Sequence, residues 1–137
     1  MPQLDDFTGR WRIARRIEDA WMDTTGLFEG VARFTPDAEG LLYSEVGELR
    51  LPQEPPMAAR RKLLWRQDGA GIAVLFEDGR PFHRIDPAAR VVQDWHDCDP
   101  DAYDVTYNFT RWPHWRMIWK VCGPRKDYVS ISDFRPA

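Results

Sequence analysis

The stretch "DWHDCDPDAYD" (94–104) brings His96, Cys98, Tyr103 and five aspartates close together, and His83 lies upstream in "GRPFHRID". Imidazole, thiolate and carboxylate are the donors of a zinc site. An imidazole beside a carboxylate or phenol is also a general acid–base pair. If the "DPAAR" turn (86–90) joins its flanking strands as an antiparallel hairpin, His83 and His96 become neighbours across it, with Cys98 or Asp101 as a third ligand. The spacing His-x12-His-x-Cys, however, matches no familiar zinc pattern. Asp99-Pro100-Asp101 reads first as a turn in which a carboxylate hydrogen-bonds the backbone ahead of it. Three readings stay open: a metal pair, interior histidines held by hydrogen bonds, or ligand contact and catalysis. In the catalytic reading His83 or His96 is the general acid or base for a small acid substrate, and Glu45 or Tyr103 its partner.

A second group of candidates interrupts otherwise apolar strand faces. Arg15 shares a face with Trp11, Ile13 and Ile17; Tyr43 and Glu45 share one with Leu41 and Leu49; Arg61 shares one with Leu63 and Trp65. A buried unpaired charge costs several kcal/mol or neutralises itself, so these groups should pair. Either Arg15 or Arg61 is expected to meet Glu45. Structurally, that pair ties strands together; functionally, it leaves the other arginine free for an acidic ligand. In "GPRKDY", Arg125 and Lys126 follow a Gly-Pro turn and would suit a carboxylate or phosphate at a barrel mouth. Alternatively they pair with the many aspartates. Cys98 and Cys122 read as small apolar residues rather than nucleophiles.

The elements that must position these groups read as strands. Turn signals recur about every 8–12 residues, from "PDAEG" (36–40) to "GPRKD" (123–127). "EDGR" (77–80) suits a type I′ hairpin. Between the turns, apolar residues alternate: Phe28, Ala32, Phe34; Ile72, Val74, Phe76; Tyr103, Val105, Tyr107, Phe109; Trp115, Met117, Trp119, Val121. On this reading His83 and Ile85 oppose Phe82 and Arg84. The segment 18–26 reads as a loop or short helix over a barrel end, and 56–68 as a strand. About ten strands with short connections favour an antiparallel meander, and closing it removes exposed edges. The expected fold is all-β: one closed up-and-down barrel spanning 1–137.

Composition excludes several classes. The net charge is −3, with only three lysines among 19 basic residues. That balance argues against a broad nucleic-acid surface, and the arginine bias itself could reflect a high-GC genome. No apolar run approaches a membrane span, and the start "MPQLDDFTGRW" lacks the basic and apolar regions of a secretory leader. Two cysteines are too few for a disulfide framework, so a cytoplasmic protein with free thiols is expected. Trp112, Trp115 and Trp119 lie at near-helical spacing, but Pro113 and the alternation that follows place them on a strand.

The opening "FTGRWRIARRIED" carries a Gly-x-Trp and resembles the N-terminal signature of lipocalins and other calycin barrels, whose Trp closes one barrel end. With "GLFEGVARF", "LLYSEVGEL", "FEDGRPFHRID", "WHDCDPDAYDVTYNF" and "WKVCGPRKDYVSISDFR", nearly the whole chain resembles a bacterial family of uncharacterised calycin-like domains. The resemblance implies the fold and no activity. Fatty-acid-binding proteins and nitrobindin are the architectural analogies, and the latter would put haem on His83 or His96. The leading expectation is a binding protein for a small, anionic or amphipathic aromatic ligand, with no cofactor. Trp11, Trp65 and Trp119 would form apolar walls, and Arg15, Arg61, His83, His96 and Tyr103 polar contacts.

Overall fold

A computed structural model describes residues 2–86 and 89–137. Its ten strands are β1 (Gly9–Asp19), β2 (Thr24–Asp37), β3 (Gly40–Arg50), β4 (Met57–Asp68), β5 (Gly71–Phe76), β6 (Pro81–Ile85), β7 (Val91–Cys98), β8 (Asp101–Arg111), β9 (His114–Gly123) and β10 (Lys126–Pro136). A short 3-10 helix, Leu4–Phe7, precedes them. The hydrogen-bonded order is β6-β5-β4-β3-β2-β1-β10-β9-β8-β7, antiparallel throughout. This is the expected meander, rolled into a nearly closed barrel. Segment 56–68 is the strand β4, and 20–23 form a turn with no helix.

Alternation builds the wall because successive side chains point to opposite faces of a strand. Trp11, Ile13 and Arg15 face inward from β1 while Arg10, Arg12 and Arg16 face outward. At one level the wall is unusually thin. Gly30 and Gly47 face each other on β2 and β3, and a Cβ on Gly47 would lie 2.8 Å from the Phe28 ring and 2.2 Å from a backbone oxygen. Only glycine fits there, and Phe28 takes the space.

Three details depart from the sequence reading. At "EDGR", Gly79 has φ 90° but Asp78 does not appear among the positive-φ residues. The turn is closed by Gly79 N–H to Phe76 O (2.9 Å) and Phe76 N–H to Arg80 O (2.9 Å). This is the three-residue form with a glycine bulge rather than a type I′ turn. Second, the β5–β6 register shifts between Val74 and Leu75. The shift turns Phe82 inward together with His83, so the two do not oppose each other.

The third departure is the seam. Among the described residues, β6 and β7 share no strand ladder, so the predicted hairpin between His83 and His96 does not form; the centre of "DPAAR" lies outside the described residues. Arg84 N–H donates instead to the Asp94 carboxylate across the seam (2.7 Å).

The two barrel ends differ. At the end where β1 begins, Phe7 of the 3-10 helix is fully buried and meets Trp11, Phe34, Trp65, Phe109, Trp112 and Trp115. Trp11 Nε1–H donates to Phe7 O (2.8 Å), pinning this plug. At the opposite end, inward residues such as Ile17, Leu49, Ala59, Phe76, His96 and Tyr128 are only half-buried. Among the described residues, no helix is long and apolar enough to cross a membrane.

Candidate ligand site in the barrel interior

Between plug and mouth lies a belt of polar side chains. Arg15 is 5% exposed and Glu45 2%. The guanidinium clasps the carboxylate through Nη1 to Oε2 (2.6 Å) and Nη2 to Oε1 (3.0 Å), and its Nε–H donates to Ser132 Oγ (2.6 Å). The Tyr43 hydroxyl donates to Glu45 Oε1, and Phe28 lies 5.0 Å from the guanidinium carbon. Burial alone would push the Glu45 carboxyl up, but Arg15, followed by Arg61 and Tyr43, holds it below its ordinary value. Burial likewise works against the Arg15 charge, and Glu45 outweighs it, raising the pKa. Tyr43 is pushed far up by burial and by the Glu45 charge, so it stays a donor.

The register makes this pairing informative. The Cα partner of Glu45 on β4 is Arg61, and its partner on β2 is Ala32. The carboxylate nevertheless pairs with Arg15, two strands away. Ala32 and Gly30 are small, so Arg15 can reach across β2. Arg61 is left half-buried on the inner wall, without an ion pair among the described residues. Its guanidinium carbon lies 4.4 Å from the centre of the Trp119 ring, a cation–π contact.

His83, 4% exposed, binds Tyr107 Oη through Nε2 (2.7 Å), while its Nδ1 is buried without a partner among the described residues. Burial, and to a smaller degree His96, lowers its pKa to about 3. It is therefore neutral at physiological pH. Burial pushes Tyr107 upward as well. His83 and His96 are separated by the Phe82 ring, whose centre is 4.4 Å from one and 5.5 Å from the other. His96 is half-buried against Phe76, Phe82 and Tyr103 at the mouth.

Tyr43, Glu45, Arg61, Trp65, Tyr107 and Trp115 help line an interior cavity of about 10 Å³, the scale of a single water. The indole N–H groups of Trp65, Trp115 and Trp119 are buried without acceptors among the described residues. Trp11 belongs to the plug, Trp65 bridges plug and cavity, and Trp119 lies beneath Arg61. Tyr103 stands half-buried against Phe82 and Trp119. Lys126 pairs with Asp101 (2.9 Å), whose carboxylate occupies the space a Cβ on Gly123 would need. Arg125 is exposed on the neighbouring turn. Cys98 is half-buried and Cys122 exposed, so the apolar reading fails for Cys122. No group of three metal-ligating side chains comes together among the described residues.

Sequence reasoning missed Tyr107 and Ser132. Tyr107 lay in a strand counted only as alternating aromatics, though a phenol inside a barrel needs a partner. Ser130 and Ser132 alternate on β10 between Tyr128 and Phe134, a polar signal on an inward face.

A ten-stranded meander with a plugged end and a charged interior defines a calycin-like barrel. The chain belongs to a family of unknown function, DUF6314, which it matches over residues 7–136. No curated protein matches it. Among solved structures, an S-type phycobiliprotein lyase from Guillardia theta is similar in fold, with a TM-score of 0.66 and 10% identity; the match covers 98% of this chain and 90% of that one. At that identity the likeness speaks for the fold alone.

Proposed function

We propose that the protein binds a small anionic ligand with an apolar or aromatic body, admitted at the open end and held by Arg61. The observation that carries this reading is Arg61 itself: an inward-facing cation on an aromatic wall, while the nearest interior carboxylate is committed to Arg15. A guanidinium offers a planar fork suited to carboxylate or phosphate. Anything larger than water needs more room than the interior cavity supplies. The guanidinium lifts from Trp119 towards the ligand's acid group, and the ring face it uncovers receives the ligand's body. Tyr103, His96 and Tyr128, half-buried at the mouth, are the side chains that adjust. Arg15, Glu45 and Tyr43 act as a fixed floor, and Arg125 with Lys126 sits at the rim.

Likeness to a phycobiliprotein lyase supports the barrel as a container and transfers no residue and no reaction. His83 is neutral, sealed and engaged at Nε2 by Tyr107, which suits a wall residue better than a general base or a haem ligand.

An aromatic sulfonate such as anilinonaphthalene sulfonate serves as probe, with tryptophan quenching as readout on the folded protein. Arg61→Gln should weaken binding roughly tenfold or more, the worth of one charge-assisted hydrogen bond, and Arg61→Lys should fall between. Equal affinity in wild type and Arg61→Gln would sink the proposal, as would absence of binding. Native mass spectrometry of protein purified from its own cells then identifies the natural ligand.

A further inference from the structure

The outer wall carries a charge pattern that the interior site does not use. In register, Arg12 on β1 is the direct cross-strand partner of Arg135 on β10, and Arg10 is the partner of Arg33 on β2. Like charges facing one another across strands destabilise a sheet. Arg111 joins them from β8, and all five side chains are exposed. None of the five forms an ion pair among the described residues, although most other arginines on the outer wall do, for example Arg16, Arg66, Arg84 and Arg116. They lie on β2, β1, β10 and β8, which with β9 between the last two form the contiguous run β2-β1-β10-β9-β8, curving into an open concavity of about 1080 Å³ that Arg12, Arg111 and Arg135 line. A chain of net charge −3 thus concentrates unneutralised guanidinium groups on one concave face.

We infer that this face docks an acidic segment of a partner protein, its carboxylates neutralising the facing arginine pairs. Five strands span roughly 20 Å, about six residues of extended peptide. Guanidinium forks match carboxylates in bidentate geometry, as Asp133 already shows on Arg116 at 2.7 and 3.2 Å. Single-stranded nucleic acid would be held by stacking as well as charge. The exposed tryptophans, Trp21 and Trp95, stand elsewhere, on the β1–β2 turn and the outer face of β7. Arg61 does not line this face, so the docked segment and an interior ligand would use different arginines.

The test uses the full chain and a fluorescein-labelled oligo-glutamate peptide of about eight residues, enough to cross the five strands, followed by anisotropy at low and moderate salt. A labelled single-stranded oligonucleotide of similar charge and a neutral Gly-Ser peptide run alongside. Wild type should bind the acidic peptide more tightly than either, with affinity falling as salt rises. The double variant Arg12→Gln/Arg135→Gln should lose affinity roughly tenfold while melting at the same temperature or higher, because it removes a like-charge contact. Arg60→Gln/Lys62→Gln, equal in charge but on the outer face of β4 away from this face, should bind as wild type does. Three results overturn the proposal: no binding at low salt, equal loss in both double variants, or preference for the oligonucleotide.

Discussion

Arg15 and Arg61 project into the same barrel from inner strand faces and differ in nearly everything else. Arg15 is sealed, bidentate to Glu45 and bonded to Ser132; Arg61 is half-buried and touches an aromatic face. Their difference follows the barrel's long axis. Below Arg15 the interior is filled by an aromatic plug around Phe7, including the parallel pair Trp115–Phe134 with centres 3.8 Å apart. Above Arg61 the inward residues are half-buried and the end is open. Charge can be buried in both places, but only where compensation is complete does it become structure. Where no carboxylate answers it, as at Arg61, the charge rests on an aromatic face instead.

The comparison breaks most severely at Glu45. Glu45→Ala strands a buried guanidinium and should cost about 3–5 kcal/mol of unfolding free energy. Chemical denaturation measures it, and an effect as small as that of a surface substitution would mean Arg15 is not held as described. Phe7→Ala tests the plug. Truncating a fully buried phenylalanine costs about 3–5 kcal/mol, and the lower end is expected here because the short 3-10 helix can settle into the space. Under the proposed function, the aromatic sulfonate should still bind through Arg61 after both changes, provided the chain still folds.

Alternation made most of the wall legible, because every strand has one buried face and the period of two is unambiguous there. It also marked Arg15, Glu45 and Arg61 as intruders on apolar faces. It could not say which arginine meets Glu45. That outcome turns on Ala32 and Gly30 leaving a path over β2, a three-strand relation invisible within any one segment. The His83–His96 expectation failed for a similar reason. A hairpin was assumed from sequence adjacency, whereas the sheet breaks there and closes through β1 and β10, the most distant strands in sequence. The bulge between Val74 and Leu75 then reversed the side of Phe82, which period-two reading cannot detect. The partner of His83 proved to be Tyr107, 24 positions along the chain.

His83 gives the subtlest contrast between sealed and open regions, because its signature is a slope. Its folded pKa of about 3 lies below the ordinary 6.5. Between those values the unfolded chain binds a proton at His83 and the folded chain does not. Falling pH therefore favours the unfolded state. The contribution is fully present above about pH 6.5 and declines by up to about 1.4 kcal/mol per pH unit below it. Glu45, held below its ordinary value, adds an acid loss of the same sign, but only once the pH reaches the carboxylate range. The window from pH 7 to pH 5 isolates the imidazole. His83→Phe/Tyr107→Phe removes both partners and leaves no orphaned hydroxyl. Denaturation midpoints of this double variant should vary less with pH across that window than those of wild type. Equal slopes would show that water reaches His83, moving it from the sealed region to the open one.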